Sequence, residues 1–179
     1  MPDQRLPAAT FEDLAMPLFD QLYNFAHWMT QDRAEAEDLV QETYTKALRG
    51  FSSFQTGTNF RAWMYRILRN SFLSSRTGLK ATVVFDELDD GNSSSTADAT
   101  PESLLLDQAN REMVQHALGK LPVHFREILL LCEVEEMSYQ EISETLAIPA
   151  GTVMSRLFRA RKALRSLLQE HIQGGRNGL

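Results

Sequence analysis

The chain has 179 residues, 43% of them apolar, and a formal net charge of −6. That suits one ordinary domain or two small packed ones, excludes a disordered chain, and offers no apolar run long enough to span a bilayer. One cysteine, Cys132, rules out an intramolecular disulfide, four scattered histidines give no metal-ligand spacing, and there is no phosphate-cradling glycine loop. The expectation is a chain with no metal, no cofactor and no catalytic residues. With one thiol and no signal peptide, it is expected in the cytoplasm, without membrane insertion.

Charge falls in blocks. Residues 1–50 hold 4 basic and 9 acidic side chains, residues 51–80 hold 5 and none, and residues 81–119 hold 1 and 8. Residues 120–138 hold 2 and 4, and residues 139–179 hold 6 and 3. Fields act over about 8–10 Å at physiological salt, so the blocks, and not the total, decide what binds. Two basic blocks either meet polyanions at two places or are ordinary solvated faces.

Helical periodicity covers 10–76 and nothing alternates like a sheet strand, so the class is all-α. "QDRAEAEDLVQETYTKALRGF" (31–51) predicts a helix with Ala36, Leu39, Val40, Thr43 and Ala47 inward. Asp38, Gln41, Glu42 and Thr45 are left outside. That face is wrong for DNA and suits a protein partner or plain solvent. "GFSSFQTGTNF" (50–60) predicts a loop anchored by Phe51 and Phe54, a place where recognition residues often sit.

"NFRAWMYRILRNSFLSSR" (59–76) divides into two faces. Phe60, Trp63, Met64, Ile67 and Ser71 make a core stripe. Arg61, Tyr65, Arg69, Phe72 and Arg76 interleave cations with rings, a pattern suited to single-stranded nucleic acid. A second apolar edge with solvated arginines is the alternative. Residues 77–103 are acidic and rich in Ser, Thr, Gly and Asn, and predict a linker in which only "ATVVF" could be ordered.

Periodicity resumes over 104–172. "ALGKLPVHFREILLLCEVEEM" (117–137) predicts one helix with Phe125, Ile128, Leu129, Leu131 and Cys132 as apolar positions. Cys132 is expected in the core, because no neighbouring cation in sequence would activate it. Ser138 with Glu141 spells a capping box opening a short helix whose apolar face is Tyr139, Ile142 and Leu146. A second helix starts near Pro149, with Val153, Leu157, Ala160, Leu164 and Leu168 inward. Its other face presents Thr152, Ser155, Arg156, Arg159 and Lys162. Two helices with a tight turn and a cationic second helix describe a helix-turn-helix whose second helix enters the major groove. A solvated amphipathic hairpin is the alternative. The tail "GGRNGL" is expected to fray.

"AEDLVQETYTKA", "NFRAWMYRILRN" and "LPVHFREILLLCEVEEMSYQEISETLAIPAGTVMSRLFRARKAL", in that order, resemble the extracytoplasmic-function (ECF) group of bacterial sigma-70-class sigma factors, from about Leu18 to Leu168. The resemblance implies two small helical domains on a flexible acidic linker: sigma region 2 at 10–76 and sigma region 4, with the helix-turn-helix, at 104–172. It implies an alternative sigma factor that binds core RNA polymerase at its clamp and flap and directs promoter-specific initiation. Asp38, Gln41, Glu42 and Thr45 would meet the clamp. Asn59, Phe60, Arg61, Tyr65, Arg66, Arg69 and Asn70 would hold the single-stranded −10 element. Thr152, Ser155, Arg156, Phe158, Arg159 and Arg161 would read or clamp the −35 duplex. "GTVMSRL" and "FSSFQTGTNFRAW" look closest to a redox-stress subgroup held by a zinc-binding anti-sigma factor, with Met154 where many members carry Lys or Arg. A stand-alone helix-turn-helix regulator would leave 31–76 idle. A sigma mimic that titrates an anti-sigma factor would not need the DNA-facing arginines.

Overall fold

The computed structural model describes residues 9–77 and 111–176, with side chains up to residue 170. Every regular element among the described residues is helical. The expected linker, including "ATVVF", lies outside them apart from Thr77, which ends a helix.

In the first half, α1 (Phe11–Ala15), α2 (Phe19–Thr30), α3 (Arg33–Gly50) and α4 (Phe60–Thr77) pack together. Each junction has a local cause. Thr10 and Asp13 form a capping box at α1. Gln31 turns left-handed at φ 61° to end α2, and the Asp32 carboxylate accepts from Glu35 N at 2.9 Å to start α3. All five α3 residues expected inward are buried.

On α4 the expected stripe is rotated. Tyr65 and Phe72 are buried, together with Ala62, Met64, Leu68 and Ser71, whereas Phe60, Trp63 and Ile67 are half-buried. Positions 61, 65, 68 and 72 are spaced as well as 60, 64, 67 and 71, so periodicity alone admits both. Packing decides: α2 sets the Phe25 ring edge-on to Tyr65 at 5.2 Å. Phe51 and Phe54 do anchor the loop before α4, with ring centroids 6.2 Å apart and Phe54 5.2 Å from Phe60. Gly57 in that loop has φ +95°, which suits glycine.

The second half holds α5 (Arg111–Lys120), α6 (Val123–Leu129), a π-helical turn (Leu130–Val134), α7 (Tyr139–Leu146) and α8 (Ala150–Arg176). The single helix expected over 117–137 is therefore broken. Pro122 lacks an N–H and starts α6 as its N-cap. Arg126 then folds back onto α5, donating to the carbonyls of Leu118 at 2.7 Å, Gly119 at 2.8 Å and Leu121 at 3.2 Å. Helix C-termini leave such carbonyls without partners, and the guanidinium fork supplies them. Its remaining reach goes to Met29 O at 2.7 Å, at the end of α2. After the π turn, Glu136 adopts φ 52° and the chain turns sharply, leaving Glu135 buried at 6% exposure.

The helix-turn-helix forms as its sequence predicts. Ser138 Oγ accepts from Glu141 N, and the Glu141 carboxylate accepts from Ser138 N. Ala147 ends α7 at φ 54°. Val153, Leu157, Ala160, Leu164 and Leu168 are all buried. One expectation fails here, and one holds in part. Tyr139 is exposed, and Thr145 takes its place beside Ile142 and Leu146. Cys132 is half-buried, packed against the core at its edge, and Arg161 Nη2 donates to its Sγ at 3.6 Å. The last helix runs through Gly174 and Gly175 to Arg176, and the remainder of the tail, 177–179, lies outside the described residues.

Both halves share one apolar core, with α4 against α7 and α2 against α5 and α6.

Candidate nucleic-acid and partner interfaces

Three surfaces gather the candidate residues. On α3, Asp38, Gln41, Glu42 and Thr45 are all exposed on one side. Glu42 pairs with Lys46 at 2.5 Å, one turn along, so the acidic edge is set by the helix itself. Leu48, 56% exposed, adds an apolar side chain to this face. Sequence reading passed over it, although its position outside the inward stripe was the available signal.

The second surface is α4 with the loop before it. Asn59 caps the helix: its side-chain oxygen accepts from Ala62 N at 3.0 Å, and its amide donates to Glu141 at 3.1 Å. Phe60 sits among Phe11, Phe51, Phe54 and Trp63. Arg61 lies 5.7 Å over the Tyr65 ring and donates to Glu135, at 2.5 Å to its carbonyl and 3.4 Å to its carboxylate. The Tyr65 hydroxyl donates to the same carboxylate at 2.5 Å. Arg66 donates to the carbonyl of Glu144. Arg69 grips Glu127 with two parallel bonds of 2.7 and 3.1 Å. Asn70 is exposed.

Electrostatics at this surface follow burial. Burial first, then the Glu135 charge, push the Tyr65 hydroxyl well above its ordinary value. Burial pushes the Glu135 carboxyl up, against the opposing pull of Tyr65 and Arg61. Glu141 goes the other way, held down chiefly by the Ser138 backbone N–H. The partners Glu127, Glu135, Glu141 and Glu144 escaped the sequence reading. No local pattern pairs residues 58 to 82 positions apart.

The third surface is the open side of α8. Ser155, Met154 at 57% and Phe158 at 44% are exposed, with Thr152 and Arg159 half-exposed and Lys162 and Arg165 exposed. Two expected members lie elsewhere. Arg156 is buried at 8%, because it sits at the edge of the inward stripe, where a long apolar stem packs readily. Arg161 is half-buried and pairs with Glu133 at 2.6 Å, on the side of the π turn. The side that remains presents short polar, apolar and cationic groups together. That is what a major-groove reader needs for base edges, thymine methyls and phosphates.

Among the described residues no cluster of ligands could hold a metal ion, and no helix is long and apolar enough to cross a membrane. Residues 14–81 match the Sigma-70 region 2 family, and residues 111–164 match the Sigma-70, region 4 family. The chain is 36% identical to the ECF RNA polymerase sigma factor SigE of Mycolicibacterium smegmatis over 173 residues, covering 91% of this chain and 66% of that protein. It is 31% identical to the ECF RNA polymerase sigma factor SigW of Bacillus subtilis, covering 89% of each. The sigma factor RpoE of Bartonella quintana, solved with the anti-sigma factor NepR, superposes with a TM-score of 0.66 at 30% identity. That match covers 88% of this chain and 98% of RpoE. With both sigma regions in order on an all-helical frame, this chain belongs to the extracytoplasmic-function family of RNA polymerase sigma factors.

Proposed function

We propose that the chain is an alternative sigma factor: it binds core RNA polymerase and directs it to a class of promoters, under the control of an anti-sigma factor. The observation that carries this reading is the division of labour among three surfaces. The acidic, cation-poor side of α3 suits a protein, and its exposed Asp38, Gln41, Glu42 and Thr45 meet the polymerase clamp. The arginines and rings of α4 and its loop suit unpaired bases and phosphates of the −10 element. Lifting bases from a duplex costs a few kcal/mol, offset by stacking and pocket contacts. Asn59, Phe60, Arg61, Tyr65, Arg66, Arg69 and Asn70 supply them.

The open side of α8 suits the −35 duplex, with Thr152, Ser155, Phe158 and Arg159 facing it. Arg156 and Arg161 then act from behind, shaping the helix-turn-helix more than touching bases. Such a protein works in the bacterial cytoplasm and performs no bond chemistry of its own. The relative solved with NepR supports control by an anti-sigma factor. A redox-stress role stays within the same proposal and rests on the loop and recognition-helix resemblance alone.

Arg159→Ala is expected to weaken binding to the −35 duplex by about 1–3 kcal/mol, through one base or phosphate contact. Gel-shift titration at two salt concentrations checks it: a flattened salt slope marks a phosphate, and a relaxed base preference marks a base. Unchanged affinity would remove Arg159 from the interface.

A further inference from the structure

Apart from Glu35 of α3, which pairs with Arg76 at 2.6 Å, the acidic residues that partner α4 come from the other half of the chain. Glu127 lies on α6, Glu135 just after the π turn, and Glu141 and Glu144 on α7. They engage five of the seven residues assigned to the −10 element: Asn59, Arg61, Tyr65 and Arg69 through carboxylates, and Arg66 through the main-chain carbonyl of Glu144. Two of the carboxylates are deeply placed, with side-chain exposures of 1% for Glu127 and 4% for Glu135. A strand of DNA cannot reach Arg61, Tyr65 or Arg69 while these bonds stand, because the donors already hold anions. The helix-turn-helix keeps its DNA-facing side outward at the same time, as the exposure of Met154, Ser155 and Phe158 shows.

We propose that region 4 acts as an internal stand-in for the promoter strand: its acidic groups close the single-stranded-DNA surface of α4 in the polymerase-free chain while the duplex-reading side stays open. The proposal rests on the assignment of α4 to the −10 element. The chemistry is an exchange of anions. A half-buried guanidinium facing a buried carboxylate gives up that partner most readily when another anion replaces it, since separating the pair leaves a buried charge unpaired. Strand phosphates are such anions, and bases offer the rings a second face. The closed arrangement is also incomplete, because Arg61 Nε is buried with no acceptor. A donor left over in one state favours any other state that satisfies it.

The test uses the full chain carrying Cys132→Ser, with spin labels at the exposed positions Ser74 and Gln140, and a fluorescent oligothymidine as probe. Glu127→Gln/Glu135→Gln removes two charges and keeps the shapes. Glu127→Gln alone is the milder version, leaving the Glu135 cluster whole. The parent is expected to give one narrow label distance. Both variants should broaden it and raise oligothymidine affinity, about tenfold in the double variant, as the competent fraction grows. Adding Arg61→Ala to the double variant should abolish the gain. A broad distance already in the parent would overturn the closure and leave the α4 assignment standing. Broadening without any gain in affinity would instead overturn the assignment of α4 to single strands, and the proposal with it. A narrow distance in all variants, with unchanged affinity, would show that the acids do not hold the two halves.

Discussion

Arg126→Ala is expected to destabilise the fold by about 3 kcal/mol, because the four carbonyls of Leu118, Gly119, Leu121 and Met29 lose one charged donor. Two of them lie in the last turn of α5, Leu121 follows it, and Met29 lies in the last turn of α2, so a single side chain fixes the break at Pro122 and ties the halves. For a chain of this size the loss corresponds to a fall in Tm of roughly 6–12 °C, read by calorimetry. Lysine should recover little, since a point charge on a flexible stem cannot match a fork that serves four acceptors. A fall of less than about 2 °C would mean that water replaces the guanidinium at these carbonyls and that the tie is dispensable.

Glu42→Lys is expected to cripple polymerase binding, by about 2–5 kcal/mol if the carboxylate faces a cation of the clamp. The fold should survive. Glu42 is exposed on α3, and the change only turns an attractive pair with Lys46 into a repulsive one, worth a few tenths of a kcal/mol. Duplex binding by α8 should be untouched, since it lies on the other half of the chain. Binding of labelled chain to core polymerase, with −35 gel shifts as the control, separates these effects. Equal loss in both assays would indicate misfolding, and loss in neither would remove α3 from the clamp assignment.

The sequence was most legible where one face of a helix is apolar and the other is not. The stripes of α3 and α8 and the Ser138–Glu141 capping box were read as they stand, since period and cap chemistry each admit one answer. α4 is ambiguous in sequence because both of its faces carry rings; Met64 and Ser71 of the expected stripe are buried, with Tyr65 and Phe72 beside them. The choice between the faces was made by Phe25 from α2 and Glu135 from the other half, neither of which periodicity can see. The charge of Arg156 points to the open face, yet it neighbours Leu157 and Ala160 on the helix and lies at the margin of the core. Cys132 has no cation among its sequence neighbours, while the one beside it in space, Arg161, comes from 29 residues away. The common cause is distance along the chain: local signals set helices and their faces, and long-range ion pairs decide which cations remain available to DNA.

The most direct test of the account is run-off transcription on sheared genomic DNA with purified core RNA polymerase, with and without this protein. The account predicts new transcripts with discrete start sites, lost with Glu42→Lys and reduced with Arg159→Ala. No new transcripts, with polymerase binding intact, would contradict it and leave a protein that occupies the clamp without opening promoters.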